Sequence, residues 1–377
     1  MQAEELVIDG PQVLVPGSDF LVLGLVRLLF VVGLLALVVA VVVRLVRRRR
    51  ATEPLGPPVS IAVCGALAVL GLVLSIVHRP PPFFVPEFPA LPVLQPEDSV
   101  LRRTAADLPV SADSDRWIAS QDGMELRANF RGTVTEGVVW GVPFNLVDEA
   151  TPRVDVELTQ YPETSFPGPY PMTDPAYIEG LPTYHFDQHY VAVDVETRQV
   201  WELIATRNWF GRWQAGAGAN WSMDSVDYPT GSTIVAGLPL LAGTITYPEV
   251  ASGSIEHVIL GSSWITAVGQ HVWPARNTDG RSNDPDAPPM GAWLRLKADA
   301  DLSGLGPQAR VIAEATRRYG IVLSDTGPGF NVRGTVDARW DAQDLRSLSQ
   351  LTADDFEVVD PSSVMVSPDS MAVRPPA

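Results

Sequence analysis

Two long apolar runs near the N-terminus constrain the fold of this chain more than any other feature. Leu21–Val43 is interrupted only by Arg27, and Val59–Val77 contains no charged residue. At the helical rise, each run would span roughly 28–35 Å, which matches the hydrocarbon thickness of a bilayer. Arg27 lies near one end of its run, where a long side chain can reach the headgroups. The runs therefore predict a two-helix transmembrane hairpin over residues 20–78.

The charges around the two runs predict the orientation of this hairpin. The connecting loop, residues 44–58, carries five arginines, whereas residues 1–19 are acidic. Because loops rich in Lys and Arg stay in the cytoplasm, we expect the N-terminus and everything after His78 to lie outside. An acidic N-terminus and so long an apolar run do not fit a cleaved signal peptide. The expected location is the cell membrane, as a two-pass protein that contacts lipid through residues 20–78, with a helix–helix oligomer in the membrane as a further option.

Charge and cysteine content exclude several classes of protein for the chain after the hairpin. The formal net charge is −17; residues 1–79 hold seven arginines and five acids, a net of +2, so the rest carries −19. We expect no nucleic-acid partner, because binding to nucleic acid requires a basic surface. Cys64 is the single cysteine and lies within the second apolar run, which excludes an intrachain disulfide and a cysteine-based metal site. The sequence gives no reason to expect a cofactor.

The chain after the membrane hairpin divides into three parts. Residues 79–111 begin with a proline-rich stretch, which predicts a semi-rigid stalk. Residues 112–360 show short apolar segments between turn residues, which predict a mainly β domain, a sandwich or jelly roll with one or two short helices. Residues 361–377 are predicted to be a disordered tail. The predicted strands are Gly132–Trp140, Val154–Leu158, Tyr190–Val195, Val200–Ala205, Thr244–Tyr247, Ile255–Leu260, Ala292–Ala298, Ile321–Ser324 and Phe356–Val359, and the predicted helices begin at Pro307, with Gly320 as cap, and lie near Asp341–Leu348.

Candidate catalytic residues cluster just before the predicted strand at residue 190. If the strand extends backwards, alternation places His185, Asp187 and His189 on one face. An aspartate beside a histidine forms an oriented acid–base pair. With a connecting turn of two or four residues, Glu202 of the next strand would lie opposite Val193 on the same face. Two carboxylates about 5–9 Å apart are what glycoside hydrolysis requires.

Two alternatives remain for this group of residues. The first is an exposed polar hairpin end in which Glu202 pairs with an arginine. The second is a divalent-metal site, since imidazole and carboxylate are both metal ligands, but it lacks a fourth ligand unless His257 supplies one. Our prediction is a site without metal.

Two further segments are predicted to line the same cleft and to bind substrate, together with His185. His257 follows a tight turn and begins a strand, with a buried core histidine as the alternative interpretation. Trp273 and Arg276 lie beside an irregular loop, residues 277–289. Tryptophan faces stack on sugar rings, and arginine holds carboxylates.

The order of short motifs resembles that of a known group of domains. The motifs are Asp187-x-His189, Trp201-Glu202, Gly253-Ser254-Ile255-Glu256-His257, Trp273-Pro274-Ala275-Arg276, Pro288-Pro289-Met290-Gly291, Tyr319-Gly320 and Asp325-Thr326-Gly327. This set is similar to that of secreted bacterial and fungal β-rich extracellular domains, over residues 125–360. The resemblance implies one extracellular domain and carries no activity with it. The transmembrane anchor departs from the secreted pattern and implies a cell-surface version.

These observations predict a surface-tethered domain that binds or cleaves carbohydrate of the cell envelope or the environment. As an enzyme it would be a glycoside hydrolase or polysaccharide lyase, with Asp187 and Glu202 as the carboxylate pair and His189 oriented by Asp187. The alternative is a non-catalytic binding or scaffold protein that engages an envelope partner. One cleft holding Asp187, His189, Glu202 and His257 would favour the enzyme, and dispersal of these residues would favour the binding protein.

Overall fold

The computed structural model describes residues 86–128, 130, 141–180, 187–209 and 211–375. This part of the chain is mainly β, as predicted. With the exception of Trp209 and Gly211, it belongs to one compact unit. The predicted membrane hairpin, the predicted strand Gly132–Trp140 and His185 lie outside the described residues. Among the residues that are described, no helix combines the length and apolar character needed to cross a membrane.

Sixteen strands and four α-helices are found in the described ranges. The strands are β1 (Leu126–Ala128), β2 (Asn145–Leu146), β3 (Arg153–Val154), β4 (Glu157–Leu158), β5 (Tyr170–Pro171), β6 (Tyr190–Asp194), β7 (Gln199–Ile204), β8 (Arg207–Trp209), β9 (Arg212–Ala215), β10 (Ala217–Ser222), β11 (Thr230–Gly231), β12 (Ile259–Ser263), β13 (Trp293–Leu296), β14 (Ile321–Thr326), β15 (Phe330–Val332) and β16 (Phe356–Val359). The helices are α1 (Ser114–Ala119), α2 (Tyr247–Ser252), α3 (Pro307–Arg318) and α4 (Ala342–Arg346). Short 3₁₀ helices cover Val100–Arg102, Pro162–Thr164, Leu241–Gly243, Ser347–Gln350 and Ala353–Asp355.

A six-stranded mixed sheet, in the order β1-β15-β12-β14-β13-β16, forms the larger part of the fold. Its central strands β12 and β14 run parallel, so that Ile259 pairs with Ile321. Helix α3 starts with proline at its first turn, a position that needs no backbone N–H. It packs Ile312 into a core that includes Leu323 and Phe356. Gly320 then turns the chain into β14 at a φ of 79°, which glycine adopts without a steric penalty.

A five-stranded sheet, in the order β11-β10-β7-β6-β2, has a core of its own. Tyr170, Tyr190 and Leu203 are fully buried in that core. In the β6–β7 hairpin Asp194 pairs with Gln199. The four-residue turn between them places Glu202 opposite Val191, so the predicted pairing with Val193 is corrected by two residues.

Several predicted elements are corrected by the structure. The segment Thr244–Tyr247 is not a strand, because Thr246 and Glu249 form a capping box that begins α2. The predicted strand Val154–Leu158 is broken into β3 and β4. The strand predicted from Ile255 begins only at Ile259. Helices α1 and α2 were not predicted, and the described chain therefore has more helices than the one or two expected.

The predicted stalk and tail are also corrected, because both pack on the domain. Within the stalk, Phe88 is buried and its N–H donates to the carboxylate of Asp337 at 3.0 Å. In the tail, Met371 is fully buried and its N–H donates to the Val226 carbonyl at 2.8 Å. Backbone hydrogen bonds and apolar burial thus order residues 86–111 and 361–375.

Candidate acid–base site

His189 lies at the centre of a cluster of ionisable side chains, immediately before β6. The strand does not extend back through it: Gln188 has a φ of 53°, so Asp187 and His189 do not follow the strand alternation that the sequence suggested. The turn is fixed instead by β7, because the N–H of Ala205 donates to the Asp187 carbonyl at 2.7 Å. Asp187 Oδ2 lies 3.9 Å from His189 Nε2, which is too long for the hydrogen bond that would orient the ring.

Two carboxylates approach the same ring nitrogen of His189. The Nε2 atom is 3.9 Å from Asp187 Oδ2 and 4.0 Å from Glu179 Oε2. The two carboxyl oxygens therefore lie within about 8 Å of each other. Glu179 is held in place by its backbone N–H, which donates to the His189 carbonyl at 2.9 Å. The Asp187 side chain is 57% exposed and the Glu179 side chain only 11%, so one carboxyl group of the pair faces solvent and the other is nearly buried.

The buried position gives these groups unusual proton affinities. Burial raises the pKa of Glu179 to about 8; Arg333 opposes this shift, and the charges of Asp187 and Asp325 add to it. Burial and the Arg333 charge lower the pKa of His189 to about 4, against the Asp187 charge and a hydrogen bond with the Leu203 backbone, which raise it. At neutral pH the site thus holds a protonated carboxyl and a neutral imidazole.

The six-stranded sheet supplies an ion pair to the cluster. Asp325 lies near the end of β14, and Arg333, just after β15, donates to its Oδ2 at 3.0 Å. Burial raises the pKa of Asp325 to about 6 despite the guanidinium, and the charges of Asp187 and Asp279 add to the shift. The site is therefore built where residues of both sheets meet.

An exposed aromatic side chain lies at the same end of the six-stranded sheet. Ser263, the last residue of β12, pairs with Thr326, and Trp264 follows directly. The Trp264 side chain is 60% exposed, which is unusual for so large an apolar group. The parallel strands β12 and β14 thus bring an exposed indole and the Asp325 carboxylate to the same end of the sheet.

Glu202 has a different environment from the one predicted. It is fully buried, and both carboxylate oxygens accept two hydrogen bonds each. The donors are Trp221 Nε1 and Leu241 N to Oε1, and Thr233 Oγ1 and Leu240 N to Oε2, at 2.8–3.3 Å. Burial raises the pKa of Glu202, and these donors oppose the shift. With its acceptor sites filled, the carboxylate fastens the loop around residues 233–241 to β7.

His257 lies at the opposite end of β12 from Trp264. Its Nε2 is 3.2 Å from Glu249 Oε1 in α2, and its Nδ1 is 2.9 Å from the Val258 carbonyl oxygen. The structure therefore does not bring His257 to His189, and the predicted shared cleft is corrected.

Trp273 and Arg276 occupy a third location. The Trp273 indole donates to the Ser370 carbonyl at 3.0 Å, and the Arg276 guanidinium stacks 4.7 Å from the centre of the Tyr228 ring. Both side chains thus have structural contacts of their own.

A metal-binding arrangement is not found in the described part of the chain. No group of three or more His, Cys, Asp or Glu side chains among these residues has the geometry to hold a metal ion.

Sequence reasoning missed three members of the site: Glu179, Arg333 and Trp264. Asp325 entered only as part of a motif. A lone glutamate in a loop and a lone arginine after a strand carry no local pattern, because their role depends on contacts between distant segments. Comparison of the chain with protein-family models, with curated proteins and with solved structures gave no match.

Proposed function

We propose that this protein is a membrane-anchored, extracytoplasmic domain that cleaves carbohydrate with Glu179 as general acid and Asp187 as general base. The observation that carries the proposal is the pair of carboxyl groups near the same ring nitrogen of His189, one buried and one exposed, with oxygens within about 8 Å of each other. Glycosidases use two carboxyl groups at about 5 Å in retaining enzymes and at about 6.5–9.5 Å in inverting ones. Glu179 replaces Glu202 in the catalytic pair expected from the sequence.

The chemistry follows from the two environments. Glu179 is protonated at neutral pH, since its pKa is raised to about 8, and a protonated carboxyl can donate to the leaving glycosidic oxygen. Asp187 is exposed and can activate a water or attack the sugar. The Nε2 atom of the neutral His189 ring lies 3.9–4.0 Å from both carboxyl groups and adds no charge to the site. Trp264 supplies an exposed face on which a sugar ring can stack.

Substitution of either carboxyl group should abolish turnover. With the full chain in lipid nanodiscs and a panel of polysaccharides, we expect Glu179→Gln and Asp187→Asn to lower kcat by about 10²–10⁴, the range that general acid–base catalysis contributes. Glu163→Gln, an exposed glutamate elsewhere, is the matched control. In the wild type, kcat should fall as the pH rises through about 8, where Glu179 loses its proton. Turnover that is unchanged in both variants would contradict the assignment.

The membrane anchor and its orientation belong to the same proposal, as does a sandwich or jelly-roll arrangement of the sheets. The support for the anchor and its orientation is the sequence of residues 20–78, with an arginine-rich loop between two apolar runs. Protease added to intact cells should remove the part of the chain after residue 79, while a cytoplasmic marker protein stays intact. Protection of that part until the cells are lysed would reverse the topology.

A second candidate is the non-catalytic surface protein. It is favoured by the separation of His257 from His189 and by the structural contacts that engage Glu202, Trp273 and Arg276. Glycan-array binding by the wild-type chain without hydrolysis of any bound glycan would support this alternative over the enzyme.

A further inference from the structure

A cavity of about 250 Å³ lies beside β16, the last strand of the six-stranded sheet. Three tryptophans contribute to its wall: Trp117 of α1, Trp273, and Trp293 of β13. Another side is formed by Asp360, directly after β16, and by Met365, in the segment predicted as a disordered tail. The volume is just below the range of about 300–1,000 Å³ that is usual for small-molecule sites, so the cavity fits a group of a few heavy atoms.

The indole N–H groups of two of these tryptophans are engaged outside the cavity. The Trp273 N–H donates to the Ser370 carbonyl at 3.0 Å, and the Trp293 N–H donates to the Tyr319 carbonyl at 2.7 Å. Neither acceptor residue belongs to the cavity wall. Trp117 and Trp273 are partly exposed, whereas Trp293 is almost fully buried. The tryptophans therefore contribute mainly the carbon skeleton of their rings, and the face of an aromatic ring attracts cations.

The wall of the cavity carries the negative charge of Asp360. The Oδ1 atom of Asp360 accepts the Ser362 N–H at 2.9 Å, which fixes the carboxylate at the cavity. Among the described residues, no Lys, Arg or His side chain lines this cavity. The Arg116 guanidinium lies 5.3 Å from the centre of the Trp117 ring, but it is not part of the wall and pairs with Asp113 at 3.0 Å. The wall therefore attracts a cation, and the net charge of −19 after residue 79 acts in the same direction.

From these contacts we propose that the cavity binds a quaternary ammonium group, such as the trimethylammonium group of choline. This group spreads its positive charge over methyl groups and needs no hydrogen-bond acceptor, so it suits a wall of tryptophan rings with one carboxylate. A primary ammonium is strongly hydrated and donates three hydrogen bonds, for which ring carbons offer no acceptor. Neither Glu179 nor Asp187 lines the cavity, and the proposal does not rest on the catalytic pair.

The test is calorimetric titration of the full chain with choline. The chain is held in nanodiscs of phosphatidylethanolamine and phosphatidylglycerol, because these lipids contain no trimethylammonium group. We expect choline to bind, and dimethylbutanol, the neutral isostere with carbon in place of nitrogen, to bind about tenfold more weakly. Equal affinities would indicate an apolar cavity that does not select for charge and would overturn the proposal, as would the absence of choline binding.

Substitutions test the parts of the wall one by one. Trp273→Leu removes one aromatic ring, and the Kd for choline should rise about tenfold, whereas Trp273→Phe keeps a ring and should recover part of that loss. Asp360→Asn removes the carboxylate charge and should raise the Kd about two- to fivefold, as expected for a solvent-accessible ion pair. Ser362→Trp fills the cavity from an exposed residue of its wall and should abolish binding.

The matched controls are Ser303→Trp and Asp299→Asn, at exposed positions outside the cavity wall, and both should leave the Kd for choline unchanged. Circular dichroism shows whether each variant is folded; if Trp273→Leu is not, the milder Trp273→Phe and Asp360→Asn decide the question. Binding that persists in Ser362→Trp, or a Kd that changes in none of the Trp273 and Asp360 variants, would overturn the proposal.

Free choline and the headgroup of a choline lipid carry the same trimethylammonium group. Titration with glycerophosphocholine, the headgroup without its acyl chains, distinguishes the two sources. Tighter binding of glycerophosphocholine than of choline would assign the cavity to a lipid headgroup, and the reverse order would assign it to a free cation. Either order supports a site for a quaternary ammonium group.

Discussion

Two buried glutamates show how the surroundings of a residue decide its role. Glu202 accepts four hydrogen bonds, which engage its lone pairs and oppose the rise in its pKa that burial causes. Glu179 has the Arg333 charge near it but also two other carboxylates, and its pKa is raised to about 8. A carboxyl group whose acceptor sites are all filled maintains structure, whereas a protonated one with fewer donors can give its proton to a substrate.

Removal of Glu202 should therefore destabilise the fold. Glu202→Ala leaves four donors in the interior without acceptors, and we expect the free energy of unfolding to fall by about 3 kcal/mol or more. Chemical denaturation measures this change. Glu196→Ala, in the exposed turn of the same hairpin, should change it by less than about 0.5 kcal/mol. Equal stability of the two variants would exclude the structural role of Glu202.

Among the elements, those with a strong local pattern could be predicted from the sequence. Phe356–Val359 was predicted with its exact ends, and α3 was predicted from its proline and glycine boundaries. The strand predicted at Thr244–Tyr247 was wrong for a local reason, because the β-branched residues there favour a strand whereas Thr246 begins a helix through its capping box. Of the site, only Asp187 and His189 were selected from the sequence. Glu179 lies eight residues before Asp187 but shows no distinctive local pattern, and Asp325 and Arg333 lie more than 100 residues further along the chain.

The contact between α2 and the start of β12 should depend on pH. Burial lowers the pKa of His257, but the Glu249 charge, its hydrogen bond and the Val258 carbonyl together raise it above the usual 6.5. Burial raises the pKa of Glu249, and His257 and Thr246 bring it below the usual 4.5. The stabilisation by His257 is complete below pH 6.5 and is lost as the pH rises through the raised pKa of the folded-state imidazole. The stabilisation by Glu249 is complete above pH 4.5 and is lost as the pH falls through the lowered pKa of the folded-state carboxyl.

Denaturation of His257→Gln and of the wild type at pH 5.5–9 tests this linkage. We expect the stability advantage of the wild type to be largest near pH 5.5 and to shrink towards pH 9. An advantage that is constant over this range would show that the pair does not titrate with folding.

At the scale of the whole molecule, residues 361–375 pack on the domain as a C-terminal segment. Met371 is fully buried, and Met371→Ala should lower the free energy of unfolding by about 2–4 kcal/mol, the cost of a large-to-small change in a core. Val366→Ala, at a 52% exposed position of the same segment, is the control and should have little effect. Thermal or chemical unfolding of the two variants distinguishes a packed segment from a loose one.

The backbone of this segment also pairs with residues just before the first 3₁₀ helix. Ser99 and Ala372 form a β-bridge, and the Val373 N–H donates to the Asp98 carbonyl at 2.8 Å. Two segments that are far apart in sequence therefore lie side by side. A fluorescent label joined after residue 375 would consequently report on the surroundings of Asp98 and Ser99.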